Sequence, residues 1–238
     1  MPLHPSTIDI WFAGKLAKLL GWSQLLDLSV ESAIRHHVLG GYWFAAFLFV
    51  FWTHGAKPGE KQLRRRVLTT ICGSLVATIL ALVAGKLVSW LPPSRNPVLA
   101  NFYPQFLSEN INDNSFPSQS TALYGAVASG IFSINRMLGS VLWVAVGLIV
   151  SLPHMFVGGH YPSDVVAGGI LGLLGYFAAR TLLEPSLIPH VDPLFDQGTW
   201  KHVLGELLVF FLILEIAVEF QEFVWIKNSL EHVLKRLS

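Results

Sequence analysis

Long apolar runs separated by short polar connections set the pattern of this chain. Residues 8–33 mix apolar clusters, Trp11 and Trp22 among them, with Lys15, Lys18, Gln24, Asp27 and Glu31. Charges at that spacing interrupt any spanning run, so the stretch predicts an amphipathic helix, either on the membrane surface or packed on the protein's own flank. Residues 36–53, rich in Phe, Trp and Leu, predict a first span. The connection at 57–66 carries Lys57, Lys61, Arg64, Arg65 and Arg66 against Glu60 alone, which marks it as cytoplasmic by the positive-inside rule. Residues 67–91 predict a second span, long enough at 1.5 Å per residue to cross about 30 Å of hydrocarbon.

The segment at 92–119 then falls on the opposite, extracytoplasmic side. It holds Pro92, Pro93, Pro97, Pro104 and Pro117 with several asparagines and cannot be one regular element. Spans three to five are expected at 121–134, 138–157 and 165–183, with a tight turn at Asn135 and Arg136. Gly168, Gly172 and Gly175 permit close helix contact in the fifth. Residues 184–201 are polar and should be cytoplasmic. The sixth apolar stretch, 204–225, contains Glu206, Glu215, Glu219 and Glu222. The last three share one helical face, which should meet protein, water or headgroups, whether this helix spans the bilayer or lies along it. Residues 227–238 form another short amphipathic candidate.

The expected architecture is all-α: a polytopic membrane helix bundle of about five to six transmembrane helices plus an N-terminal amphipathic helix. Three regions are expected: an amphipathic segment at residues 1–35, a transmembrane core at 36–183, and a cytoplasmic connection with the last apolar helix and tail at 184–238. Composition agrees with lipid as solvent. Of 238 residues, 53% are hydrophobic and 13% charged, and the mean hydropathy is +0.54, whereas a soluble domain carries about 25% charged residues. A net charge of +1, with no basic stripe, points away from a nucleic-acid partner. Cys72 stands alone in an apolar run, which excludes an internal disulfide and a cysteine metal site. Residues 1–7 have no basic region leading into a cleavable apolar core. That feature and the compact size suit a bacterial inner membrane.

The alternation of spans brings Lys86, Arg95, residues 115–120 and residues 154–164 to one extracytoplasmic rim. His160 and Asp164 lie four apart. A helix starting at Pro162 puts Asp164 in its first turn, within reach of the ring. A carboxylate against one imidazole nitrogen leaves the other as base or nucleophile. Plainer readings stand beside these: Lys86 snorkelling to headgroups, Asp164, Ser118 and Ser120 as helix caps, and His154 as an interfacial residue.

From residue 67 to about 183 the layout resembles the type 2 phosphatidic acid phosphatase superfamily of membrane enzymes. Its pattern is Lys-x6-Arg-Pro, Pro-Ser-Gly-His and Ser-Arg-x5-His-x3-Asp. The parts that carry the resemblance best are Ser115-Phe-Pro-Ser118 and Gly159-His-Tyr-Pro-Ser-Asp-Val-Val-Ala-Gly168. The resemblance implies His160 as the nucleophile on phosphorus, Asp164 as the carboxylate orienting it, Ser118 as a hydroxyl donor and Lys86 as a phosphate-binding cation. The chain departs from the pattern in three places. Pro93 occupies the first arginine position, leaving Arg95 in a shifted one. Pro117-Ser-Gln119-Ser120 lacks the acid histidine. Pro153 and His154 replace Ser-Arg.

His160, Asp164 and His154 are therefore the candidate catalytic residues, and Lys86, Arg95, Ser118, Gln119 and Ser120 the candidate substrate-binding ones. No metal or cofactor is expected, because the histidines and carboxylates form no ligand set and the mechanism the resemblance implies needs none. The expected partners are a membrane lipid substrate and the bilayer itself; the sequence names no protein partner. The activity implied is hydrolysis or transfer of phosphate from a polyprenyl or glycerolipid phosphate or diphosphate. The alternatives are a divergent member that binds or presents such a lipid, or a non-phosphatase transfer to a lipid acceptor in the cell envelope.

Overall fold

The computed structural model describes residues 5–19, 21–35, 41–57, 60–89, 115–195 and 200–219. Among them every regular element is helical: α1 (Thr7–Ala17), α2 (Gln24–Arg35), α3 (Tyr42–His54), α4 (Lys61–Ser89), α5 (Gln119–Ile134), α6 (Arg136–Phe156), α7 (Pro162–Ser186), the short α8 (Ile188–Val191) with a 3-10 turn at Asp192–Phe195, and α9 (Trp200–Ala217). Helices α4, α6 and α7 are long and apolar enough to cross a membrane, and α3 is a shorter apolar helix. Outward-facing Leu148, Ile170, Leu174 and Phe210 are exposed, as expected of a helical membrane bundle whose outer solvent is lipid.

Helix α5 is the axis, with every residue from Thr121 to Ile131 buried. Its small residues let α4 and α7 close on it. A Cβ at Gly172 of α7 would lie 2.6 Å from the Ala122 carbonyl oxygen and 2.9 Å from the Ala126 nitrogen, so only glycine permits this approach. Gly168, one turn earlier, abuts the Ser118 carbonyl in the same way. In lipid, helix association rests on this kind of van der Waals contact. Gly168→Ala should therefore cost about 1–3 kcal/mol, read as a lower unfolding temperature of the detergent-solubilised protein. An unchanged transition would contradict the tight α5–α7 seam.

The helices run between two ends of the bundle. At one, called here the basic end, Arg64 pairs with Glu206 (Nη2–Oε1 2.7 Å) and lies 4.5 Å over the Trp52 ring. There Arg66 also donates to the Ser133 carbonyl. At the other, the site end, the start of α5 meets the α6–α7 junction.

Several expectations are corrected. The N-terminal amphipathic stretch is two helices, broken at Gly21 (φ +76°); Ser6 and Asp9 form a capping box that starts the first. The basic connection is largely helix, since α4 begins at Lys61 and Arg64 and Arg66 find the partners just named. The last long helix stops at Ala217, and Glu219 lies beyond it with φ +56°, so Glu215 and Glu219 do not share a continuous helical face. Glu215 is buried in the protein. Arg95, Glu222, the residues at 92–114 and the tail at 227–238 lie outside the described residues.

Candidate active site

The site grows from the start of α7. Pro162 supplies the first helical residue, and Tyr161 before it is extended (φ −86°, ψ 158°). Three residues into the turn, Asp164 is fully buried. Its Oδ2 accepts the Tyr161 N–H at 2.8 Å and the Ser115 hydroxyl, also at 2.8 Å. The backbone of Ser118 donates to the Asp164 carbonyl at 3.1 Å. The start of α7 and the segment entering α5 are thus tied together through one aspartate.

His160 stands just outside the helix. Its Nδ1 lies 2.8 Å from the Ser115 carbonyl oxygen. A carbonyl only accepts, so Nδ1 carries the proton and the lone pair is on Nε2. Asp164, expected directly against the ring, reaches it here through Ser115: it holds the hydroxyl of the residue whose carbonyl holds the imidazole. Burial of the ring, and then the charge of neighbouring His154, push the His160 pKa down to about 4, opposed in part by the Ser115 hydrogen bond. Near neutral pH the imidazole is uncharged, with its lone pair on Nε2.

His154, at the end of α6, faces it with ring centroids 5.9 Å apart. Its Nδ1 bonds the Val150 carbonyl at 2.8 Å. A turn through Gly158 (φ +79°), closed by Gly159 N–H to the His154 carbonyl at 2.8 Å, carries the chain from one histidine to the other. This φ is one that glycine adopts without steric cost.

Behind the histidines runs a buried line of hydroxyls: Ser118 to Thr121 at 2.8 Å, Thr121 to Ser151 at 2.9 Å, and Ser151 to the Val146 carbonyl at 2.9 Å. Ser151 closes the π-helical turn Val146–Ser151. The terminal carbonyl fixes the direction of the whole line. Ser151 donates to it, so Thr121 donates to Ser151 and Ser118 to Thr121. The hydroxyl hydrogen of Ser118 is therefore spent inward, and Ser118 must reorient before it can donate to a phosphate.

Of the remaining candidates, Lys86 is exposed on the last turn of α4, and its neighbour Gly85 lies against the Phe116 carbonyl and Pro117. Gln119 is exposed. Ser120 donates to Glu219 Oε2 at 2.5 Å, and Tyr124 one turn on bonds the carbonyls of Ile216 and Ala217. The residue in the acid's sequence position therefore pins the end of α9, on a face different from the one that meets Gly168. Among the described residues no group of three His, Cys, Asp or Glu is placed to hold a metal.

Sequence reasoning missed Asp9. From α1, its Oδ1 accepts the backbone N–H (3.0 Å) and hydroxyl (2.8 Å) of Ser163, and its Oδ2 the same hydroxyl at 2.7 Å. Burial raises its pKa, but the hydrogen bonds from Ser163 and Ser6 outweigh this and hold the carboxyl below its usual range. The one available signal was the Ser6-x-x-Asp9 capping pattern, which does not say that the carboxylate also reaches α7.

No solved structure matches the chain. Curated relatives do. The bacitracin transport permease protein BcrC of Bacillus licheniformis is 29% identical over 157 residues, which is 66% of this chain and 73% of that protein. The undecaprenyl-diphosphatase BcrC of Bacillus subtilis (strain 168) is 30% identical over 146 residues, 60% of this chain and 70% of that protein. The PAP2 superfamily model matches residues 66–186, the stretch that runs from the start of α4 to the end of α7 and contains His160, Asp164 and Ser118. With half of its length in that match and helices built for lipid, the chain belongs to the PAP2 superfamily.

Proposed function

We propose that this protein hydrolyses a polyprenyl diphosphate or a related lipid phosphate at the extracytoplasmic membrane face, through His160 as nucleophile. Family membership and the undecaprenyl-diphosphatase relative support lipid phosphate hydrolysis at the coarse level. One observation carries the finer reading: Nδ1 of His160 is anchored on Ser115 while Nε2 keeps its lone pair. The basic residues of α4 gather at the end away from His160, which by the positive-inside rule favours an extracytoplasmic site in a bacterial inner membrane.

In this mechanism Nε2 attacks phosphorus in line, forming an N–P bond as the bond to the leaving oxygen breaks. A protonated His154 neutralises phosphate charge and gives its proton to the leaving oxygen. Water then attacks the phosphohistidine, and His154 takes its proton as the N–P bond breaks. Lys86 approaches the phosphate from α4. Asp164 and Ser115 keep the nucleophile aimed.

The test is phosphate release by purified protein in detergent from polyprenyl diphosphate, polyprenyl phosphate and phosphatidic acid, beside a positive-control phosphatase. Because the His160 pKa is lowered to about 4, protonation removes the nucleophile only as pH falls through that value. Release should hold from neutral pH down to about 5 and collapse near 4. An acid limb centred near 6.5, the ordinary histidine value, would contradict this environment.

A second reading has its own support. With Ser120 turned to Glu219 and the Ser118 hydrogen directed inward, a protein that binds a phosphorylated lipid without cleaving it also fits. Saturable lipid binding with no release from any substrate would favour it.

A further inference from the structure

Far from the histidines, a cleft of about 480 Å³ opens between the ends of α5, α6 and α7, a volume in the range of small-molecule sites, roughly 300–1,000 Å³. Two matched rows build it. Leu173, Phe177 and Arg180 lie along one face of α7, and Ser129, Phe132 and Ser133 along α5, with Arg136 and Trp143 added from α6. Arg180 is 18 residues beyond Pro162, so about 27 Å along the helix from the site end at 1.5 Å per residue. That is the thickness of the hydrocarbon layer.

The lining divides by chemistry. Phe132, Leu173 and Phe177 are exposed on the lipid-facing surface, and the Trp143 ring, seated against Gly125 and Gly169, walls the cleft. Arg136 and Arg180 are both exposed at its rim. Among the described residues neither has a carboxylate partner, unlike Arg64, which pairs with Glu206. Arg180 also sits in the π-helical turn Ala179–Leu183, a distortion frequent at functional sites. Two guanidiniums over an aromatic groove open to acyl chains fit an anion that carries its own hydrocarbon.

We propose that this cleft is a second lipid site, holding an acidic phospholipid of the leaflet opposite His160, with its phosphate between Arg136 and Arg180 and one acyl chain along Trp143, Leu173 and Phe177. It is independent of the proposed hydrolysis. A phosphodiester headgroup such as phosphatidylglycerol suits it and keeps the test apart from a phosphatase site.

The experiment is thermal unfolding of delipidated protein in detergent with added phosphatidylglycerol, phosphatidylcholine or inorganic phosphate. Phosphatidylglycerol at tenfold over its dissociation constant should raise the unfolding temperature by about 3–6 °C, and phosphatidylcholine should not. The Arg136→Gln/Arg180→Gln double variant, unfolding normally without lipid, should lose that shift. Lys57→Gln/Lys201→Gln, which removes two other cations, should keep it. An equal shift in the Arg136→Gln/Arg180→Gln protein, or loss of the shift in both double variants, would overturn the site in favour of generic interfacial charge. A shift from inorganic phosphate alone would overturn the lipid in favour of a free anion.

Discussion

Alanine at position 160 is expected to reduce phosphate release by at least about 10³-fold while leaving the fold intact. Among the described residues the ring is held by one hydrogen bond, from Nδ1 to the Ser115 carbonyl, and it stands in the turn before α7, outside the helix packing that forms the bundle. His154, with its own Nδ1 on the Val150 carbonyl and its ring centroid 5.9 Å from that of His160, stays in place in this variant. The unfolding temperature of His160→Ala should stay close to the wild-type value. Added imidazole, small enough to enter the vacated space and able to accept a phosphoryl group, should restore part of the rate. Release by His160→Ala at near the wild-type rate would end the nucleophile assignment.

Asp164 should behave differently, with stability and activity falling together. Its Oδ2 is the acceptor for the Ser115 hydroxyl and the Tyr161 N–H, both buried. Each orphaned buried donor costs about 1–3 kcal/mol, so Asp164→Ala is expected to lose about 2–5 kcal/mol in denaturant or thermal unfolding. Asp164→Asn keeps one acceptor oxygen and should lie between. The informative contrast is Ser115→Ala. It keeps the backbone carbonyl that holds His160 and the Tyr161 tether, and loses only the hydroxyl through which Asp164 grips that carbonyl. The expected result is a drop of about 10–100-fold in kcat with a minor change in stability. An unaffected rate in Ser115→Ala would show that Asp164 does not orient the nucleophile through Ser115.

The fold was legible where lipid imposes a rule. Apolar runs at 67–91, 138–157 and 165–183 became α4, α6 and α7, because backbone groups in hydrocarbon must be satisfied within a helix. The beginning of α7 was equally plain, since Pro162 has a fixed φ and no donor to lose. Elsewhere distant partners decided the outcome. Helix α4 starts one and a half turns earlier than the apolar pattern, its cations engaged by Glu206 and the Ser133 carbonyl. Helix α9 stops at Ala217, where no glycine or proline announces it.

Within the site, the four-residue spacing located His160 and Asp164 but not the route between them, which passes through Ser115, 49 positions before Asp164. The fate of Ser120 depended on Glu219, 99 positions away. Asp9 was silent for the same reason: its partner Ser163 lies 154 positions on. Local chemistry names residue types, while tertiary contacts choose their partners.

Whether His160 Nε2 bonds to phosphorus can be read by trapping the intermediate. Purified protein would be mixed briefly with polyprenyl diphosphate labelled in its terminal phosphate, quenched in alkali, where phosphohistidine survives, and digested for mass spectrometry. Label on the peptide containing His160, stable to alkali, lost in mild acid and absent from His160→Ala, is the predicted result. Substrate turnover with the label on another residue, or with none retained on any peptide under conditions that trap it in a control histidine phosphatase, would rule out His160 as the nucleophile.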